Sequence, residues 1–299
     1  MSMQQTNDFS IRHSVTKGIE RVVYTPKNRL YETPIIMQHG MWHGAWCWQP
    51  WQELFARWGW ETHAHSLPGH GGSPAQRPIR WATLNYYFEF LKAEIERQPC
   101  RPVLMGHSMG GALAQWYLKY GPYPTGTVST SSPVPAVLAQ AGQGLPAAVL
   151  VAPWTSHNML PSVFHSIRRD PLGVLLCALT LTTTPLVRNP ARATEMFTHP
   201  GAYYSPEELQ ARLGPESLWV LAQYNPLWWS PAASSPIPLL WLAGVADTII
   251  SEPEERRSAA YYGAEYVAVP GAGHNLMMEK NYQETAETIH QWLNKRGIR

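Results

Sequence analysis

Two hydrophobic patterns alternate along the chain. Short, nearly continuous apolar runs occur at 34–38 (PIIMQ), 103–105 (VLM), 147–152 (AAVLVA), 238–243 (PLLWLA) and 265–270 (EYVAVP). They are too short for helices and are bounded by Gly, Pro and charged residues, so they predict buried strands. Between them lie longer stretches with apolar positions three and four apart. The clearest is 84–97, where Leu84, Phe88, Leu91 and Ile95 fall on one face. Further helices are predicted at 48–58, stopped by Gly59, at 112–119, and at 282–296. A strand at 61–66 joins the series. Runs 10–15 and 19–25 flank Lys17-Gly18 and predict an opening hairpin. Repeated strand–helix alternation with apolar strands predicts a mostly parallel sheet covered by helices on both faces.

Two stretches break this rhythm. Residues 122–144 are rich in Pro, Ser, Thr and Gly, with a small apolar segment at 134–138, and predict an exposed insertion between a helix and the next strand. Residues 153–235 carry helix-like pieces at 161–168, 191–197, 206–213 and 217–222 without strand alternation. Lying between two sheet strands, this stretch is expected to fold over the sheet as a helical cap, leaving 1–152 and 236–299 as the α/β core. Within it, 171–187 (PLGVLLCALTLTTTPLV) is uncharged but short for a bilayer span, broken by Pro185 and dotted with Thr. A buried or lid helix is expected there, not a stable membrane insertion.

Composition narrows the class of function. The 299 residues are 44% hydrophobic, enough to bury a substantial core. Net charge is only +2, with no basic block or stripe, which argues against nucleic acid as a partner. Cys47, Cys100 and Cys177 have neither metal-ligand spacing nor an even pairing framework, and the polar N-terminus lacks an apolar signal core. Together these predict a cytoplasmic protein. The 14 Trp suit an apolar pocket, although core packing is the simpler reading for most.

The candidate chemistry centres on Gly106-His107-Ser108-Met109-Gly110, between the strand at 103–105 and the helix at 112–119. Gly-x-Ser-x-Gly on a sharp strand-to-helix turn is a nucleophile elbow. The pentapeptide alone would occur by chance in about one chain in ten of this length, so its context carries the weight. One known order of a serine triad is Ser, then Asp, then His. Asp247 lies in the loop just after the strand at 238–243, and His274 in the loop after the last strand. With Ser108 they occupy equivalent strand ends, where parallel sheets gather their catalytic groups. Taken singly, Asp247 also reads as a turn or cap residue and His274 as a structural loop histidine; Glu252 and Glu254 look like first-turn charges of a helix. The cluster His63, His65, His70 lacks the Asp of a metallo-hydrolase pattern, so no metal is expected. The run 69–72 lacks the Lys-Ser/Thr of a phosphate-binding loop, and no cofactor is implied.

Five segments in order, QHGMWHGAWCW, LPGHGGSP, MGHSMGG, LAGVADTIIS and GAGHNLMME, resemble serine hydrolases of the α/β-hydrolase superfamily over nearly the whole chain. The first is similar to the His-Gly-x-x-His-Gly-x-Trp-x-Trp segment of plant methyl-ester esterases and hydroxynitrile lyases. The larger cap is closer to lysophospholipase-like and haloperoxidase-like hydrolases. The resemblance implies an α/β-hydrolase fold with Ser108 as nucleophile, His274 as base and Asp247 as its orienting acid. The backbone N–H groups of Met41 and Met109 would form the oxyanion hole. Trp42, His43 and Trp154 are candidate pocket residues, with packing an equal reading for Trp42 and His43. The lyases carry Thr at the position of Gly40 and Lys at that of Asn275, so cyanohydrin cleavage is disfavoured. Ser108 argues against dehalogenases and epoxide hydrolases, which use Asp at the elbow. The expectation is a serine carboxylic-ester hydrolase with a small-molecule ester as its partner and an apolar or aromatic acyl group favoured. Thioester, lactone and amide substrates stay open. The alternatives are a perhydrolase or cofactor-free dioxygenase of the same fold, or a slow or non-catalytic small-ligand binder.

Overall fold

A computed structural model of the chain describes residues 1–121, 144–235 and 237–299. The insertion expected at 122–144 therefore lies, but for Gly144, outside the described residues.

Among those residues nine strands form one sheet in the order β1-β2-β3-β5-β4-β6-β7-β8-β9. They are β1 (Ser2–Gln5), β2 (Phe9–Thr16), β3 (Ile19–Pro26), β4 (Ile35–Gln38), β5 (Thr62–His65), β6 (Val103–His107), β7 (Ala148–Val151), β8 (Leu239–Gly244) and β9 (Glu265–Val269). β5, β4, β6, β7, β8 and β9 run parallel, whereas β1, β2 and β3 form an antiparallel extension at one edge. Lys17 and Gly18 both take positive φ in the β2–β3 turn, the conformation a two-residue hairpin loop demands. β1 (SMQQ) is exposed along its whole length. It is held by main-chain pairing alone, so no apolar pattern announced it.

The central strands β4, β6, β7 and β8 are buried at every position, as expected of parallel strands sandwiched by helices. α1 (Gln49–Arg57) and α10 (Tyr282–Lys295) pack together on the sheet, tied by the Trp51 indole N–H donating to the Tyr282 carbonyl at 2.9 Å. α2 (Leu84–Glu96) packs on α3 (Met109–Tyr120), and α9 (Glu252–Tyr262) reaches α3 through the Tyr262 hydroxyl, 3.3 Å from Gln115 Oε1. Leu84, Phe88, Leu91 and Ile95 of α2 are all buried, as their spacing predicted. Trp48, Trp51, Trp60 and Trp241 are fully buried core residues.

Among the described residues between β7 and β8 lie five α-helices, α4 (Leu160–Arg169), α5 (Pro171–Thr180), α6 (Pro190–Phe197), α7 (Pro206–Arg212) and α8 (Trp219–Gln223). α5, α6 and α7 each begin with Pro after a capping Asp170, Asn189 or Ser205, whose side chain accepts an N–H three residues on. α5 ends at Thr180, where Leu181 turns left-handed, five residues short of Pro185. It is not buried: Leu172, Leu175 and Leu179 are exposed, while Val174 and Cys177 face a cavity. Among the described residues no helix is long and apolar enough to cross a membrane. This helical layer is pinned to the core by Glu216, whose buried carboxylate sits 3.1 Å from His70 Nε2 and accepts from the Tyr87 hydroxyl at 3.0 Å.

Candidate active site

β6 delivers the chain into Ser108 at full burial, and α3 starts at the very next residue. Ser108 therefore takes φ 52°, ψ −118°, a conformation that costs a non-glycine residue of order 1–3 kcal/mol and is kept where function needs it. Gly106 and Gly110 permit the turn. A Cβ on Gly106 would overlap the Gly110 carbonyl, and one on Gly110 would overlap the Gln38 carbonyl of β4.

Asp247 sits in the turn after β8. Its Oδ1 accepts the N–H groups of Ile249 and Ile250 at 2.7 and 3.1 Å, which leaves Oδ2 for His274 Nδ1 at 2.6 Å. Both side chains are 1% exposed. Because a carboxylate can only accept, Nδ1 carries the proton and Nε2 presents its lone pair. The loop of His274 is fixed on both sides. His107 Nε2 lies 3.1 Å from the His274 carbonyl and donates to it. The buried Glu279 accepts the Gly273 N–H at 2.7 Å and pairs with His199 Nδ1 at 2.9 Å. The structure thus brings His274 and Asp247 into contact and sets Ser108 directly after His107, whose ring centroid is 4.9 Å from that of His274. Ser108 Oγ makes no hydrogen bond among the described residues.

Met109 is the first residue of α3, where the N–H is free by helix geometry and the helix dipole favours negative charge. Met41 follows Gly40 in the turn after β4. Among the described residues neither N–H has a protein acceptor. Gly40 leaves no room for a side chain without displacement, because a Cβ would stand 2.7 Å from Ser108 Cβ and 3.0 Å from His107 Nδ1.

Met41, Trp42, Ser108 and Trp154 share one cavity of about 680 Å³, within the range of ligand-binding pockets. Its far walls come from the segment between β7 and β8, including Met159, Val163, Val174, Leu186, Leu218 and Leu221, and among the described residues no charged side chain lines it. His43, the other pocket candidate, is not among its walls. Its ring is wedged between Trp46 and Phe197 and bonds Met41 and Asn275 instead. The three clustered histidines also go separate ways. His63 pairs with Glu61, His70 pairs with Glu216, and His65 is buried with its Nε2 unpartnered.

Sequence patterning missed two buried carboxyls beside the site. Glu279 has no local signal beyond lying five residues after His274. Glu255 follows two acidic residues that stay at the surface. It is fully buried in α9, with the Trp241 indole N–H on Oε2 and no partner for Oε1. Burial, reinforced by the charge of Asp247, pushes its carboxyl well above the usual carboxylate range. The folded state thus holds a proton that the unfolded chain releases near pH 4.5, so stability falls as pH rises above that point. Glu255→Gln keeps the shape without the proton. It is expected to raise the melting temperature more at pH 8 than at pH 5; a parallel shift at both would show that Glu255 is ionised in place.

Residues 35–288 match the family model described as the alpha/beta hydrolase family. Comparison with curated proteins finds no sequence match. Among solved structures, the chain is similar to a soluble variant of monoglyceride lipase from Saccharomyces cerevisiae, with TM-score 0.68 and 16% identity over 98% of each chain. It is also similar to a monoacylglycerol lipase from Paleococcus ferrophilus, with TM-score 0.60 and 19% identity over 93% of this chain and 99% of that one. A carboxylesterase from Bacillus subtilis gives TM-score 0.60 and 14% identity over 96% and 92%. At these identities the likeness is one of fold.

Proposed function

The chain belongs to the alpha/beta hydrolase family, and from that premise we propose that it is a serine hydrolase cleaving carboxylic esters with long apolar acyl groups. The observation that carries this reading is the His274–Asp247 pair at 2.6 Å, set beside a strained Ser108 that opens on a cavity of about 680 Å³ with no charged side chain among its described walls. Ser108 Oγ attacks the ester carbonyl while His274 Nε2 takes its proton. Asp247 steadies the imidazolium through Nδ1–H. The tetrahedral oxyanion is received by the N–H groups of Met41 and Met109, an interaction typically worth several kcal/mol. His274 then protonates the departing alcohol. Water, activated by the same nitrogen, releases the acid from the acyl-enzyme. The cavity takes the acyl chain, since its described walls offer mostly hydrocarbon contact and no charge to a headgroup.

The test joins a fluorophosphonate probe with p-nitrophenyl esters of increasing chain length. Labelling at Ser108 is expected, abolished by Ser108→Ala. Each buried methylene contributes about 0.8 kcal/mol, close to fourfold in rate. kcat/KM should therefore climb at least about 100-fold from acetate to octanoate before it levels. An unlabelled Ser108 with ester turnover intact in Ser108→Ala would overturn the hydrolase reading. A maximum at acetate would overturn the acyl preference.

A further inference from the structure

The turn after β4 is unusual in its third residue. Gly40 to His43 form a β-turn closed by the His43 N–H on the Gly40 carbonyl at 3.4 Å, and Trp42 sits in its third position at φ +61°. A turn with left-handed geometry there ordinarily takes Gly. With a side chain present, the central Met41–Trp42 peptide gains by flipping to the alternative turn, unless something holds its carbonyl.

That carbonyl is held. His43 Nδ1 lies 2.6 Å from the Met41 oxygen, and His43 Nε2 lies 3.0 Å from Asn275 Nδ2. A carbonyl can only accept, so Nδ1 carries the proton, and Nε2 must then accept from the Asn275 amide. The chain of donors runs one way, from Asn275 through the ring to Met41. The ring has no freedom to leave, with Trp46 stacked at 5.3 Å and Phe197 edge-on at 5.0 Å. Burial keeps it neutral, its pKa lowered to about 3, which preserves a lone pair on Nε2. Asn275 is itself fully buried and directly follows His274. Its own N–H donates to the Phe197 carbonyl at 2.9 Å.

We propose that Asn275 and His43 form a positioning link that locks the oxyanion turn to the loop carrying His274. Neither residue touches substrate. The link holds the Met41 carbonyl, and so anchors the residue that carries the oxyanion N–H in position relative to the base. Acid–base machinery and oxyanion site are thereby held as one unit. This inference rests on the serine-hydrolase reading above.

The experiment compares wild type with His43→Phe, His43→Asn and Asn275→Asp, using a p-nitrophenyl ester and the matching thionoester. His43→Phe keeps the packing and loses the link. kcat should fall about 10- to 100-fold, the scale of misplacing one oxyanion donor, with KM within about threefold. The preference for the oxygen ester over the thionoester should shrink in parallel, because sulfur accepts hydrogen bonds poorly and gains little from a well-placed hole. In His43→Asn the amide nitrogen replaces Nδ1 toward the Met41 carbonyl but does not reach Asn275, so only a minor part of the lost preference should return. Asn275→Asp, nearly isosteric, puts an acceptor opposite Nε2. His43 must then carry both protons to satisfy Met41 and Asp at once. The variant should gain a loss of kcat with rising pH that wild type lacks, and this result decides the matter if His43→Phe fails to fold. Unchanged ester preference in folded His43→Phe, or an unchanged pH profile in Asn275→Asp, would overturn the link. Turnover surviving Ser108→Ala would instead overturn the parent reading.

Discussion

Replacing His274 with alanine is expected to lower kcat/KM for a p-nitrophenyl ester by about 10⁵- to 10⁶-fold, and Asp247→Asn by about 10⁴-fold. The difference in size follows from the hydrogen bonds. In the proposed mechanism His274 takes the Ser108 proton, and without it the serine attacks as a neutral hydroxyl. The loop should survive the change, since it is held by its own backbone: the His274 carbonyl on His107 and the Gly273 N–H on Glu279. In Asp247→Asn the side-chain oxygen still accepts from Ile249 and Ile250, so the amide nitrogen is turned toward His274 Nδ1. Two donors cannot face each other. The imidazole shifts its proton to Nε2, where it can no longer act as base toward Ser108. Steady-state rates with circular dichroism as the check on folding read both effects. Retention of a tenth of the activity by folded His274→Ala would remove the triad from the account.

Much of this arrangement was legible in the sequence because it is local. A strand that must be buried on both faces is written as an apolar run, and β4, β6, β7 and β8 all announced themselves that way. The elbow is a contiguous pentapeptide, and Asp247 and His274, which the structure pairs at 2.6 Å, were expected from the Ser-Asp-His order and their place at strand ends. What stayed hidden depends on contacts distant in sequence or on main-chain pairing. β1 is a polar edge strand joined by backbone bonds to β2. Glu255 and Glu254 are neighbours in one acidic cluster, and only the packing of α9 on β8 decides that one is buried against Trp241 while the other is not. His43 was legible as part of a motif but not in its direction. Its partner Asn275 lies 232 residues away, and nothing in the local sequence distinguishes a ring facing a pocket from one bonded behind it. The expectation of a core and a helical cap rests on the same local reading. Glu216, which fastens the two layers through His70 and Tyr87, does not.

Gly40→Ala is expected to cost about 10²- to 10³-fold in kcat/KM, the scale of losing one oxyanion donor, with much smaller effects on the melting temperature. The added methyl would stand 2.7 Å from Ser108 Cβ, 3.0 Å from His107 Nδ1 and 3.1 Å from the His107 carbonyl. None of these can yield cheaply. Ser108 is fixed in its strained turn by its own N–H on Val151 and its carbonyl on Ala112 and Trp154. The His107 ring is anchored through Nε2 to His274. The turn bearing Met41 must therefore retreat from the elbow, carrying its N–H away from the reacting oxygen. Overpacking of this kind ordinarily costs about 1–3 kcal/mol, which a core of this size tolerates, so the loss should appear in kcat while the fold persists. Threonine, the residue that hydroxynitrile lyases carry here, adds two more heavy atoms and should be worse on this backbone. Wild-type kcat/KM in Gly40→Ala would mean that the Met41 N–H is not where the oxyanion forms, and the second donor would have to be sought elsewhere. The Asn275–His43 link makes the sharper forecast for the same variant. Because the link holds the Met41 carbonyl, the turn has little freedom to relieve the methyl by shifting as a unit. Combining Gly40→Ala with His43→Phe should then lose less than the product of the two separate losses, since both act by displacing one N–H.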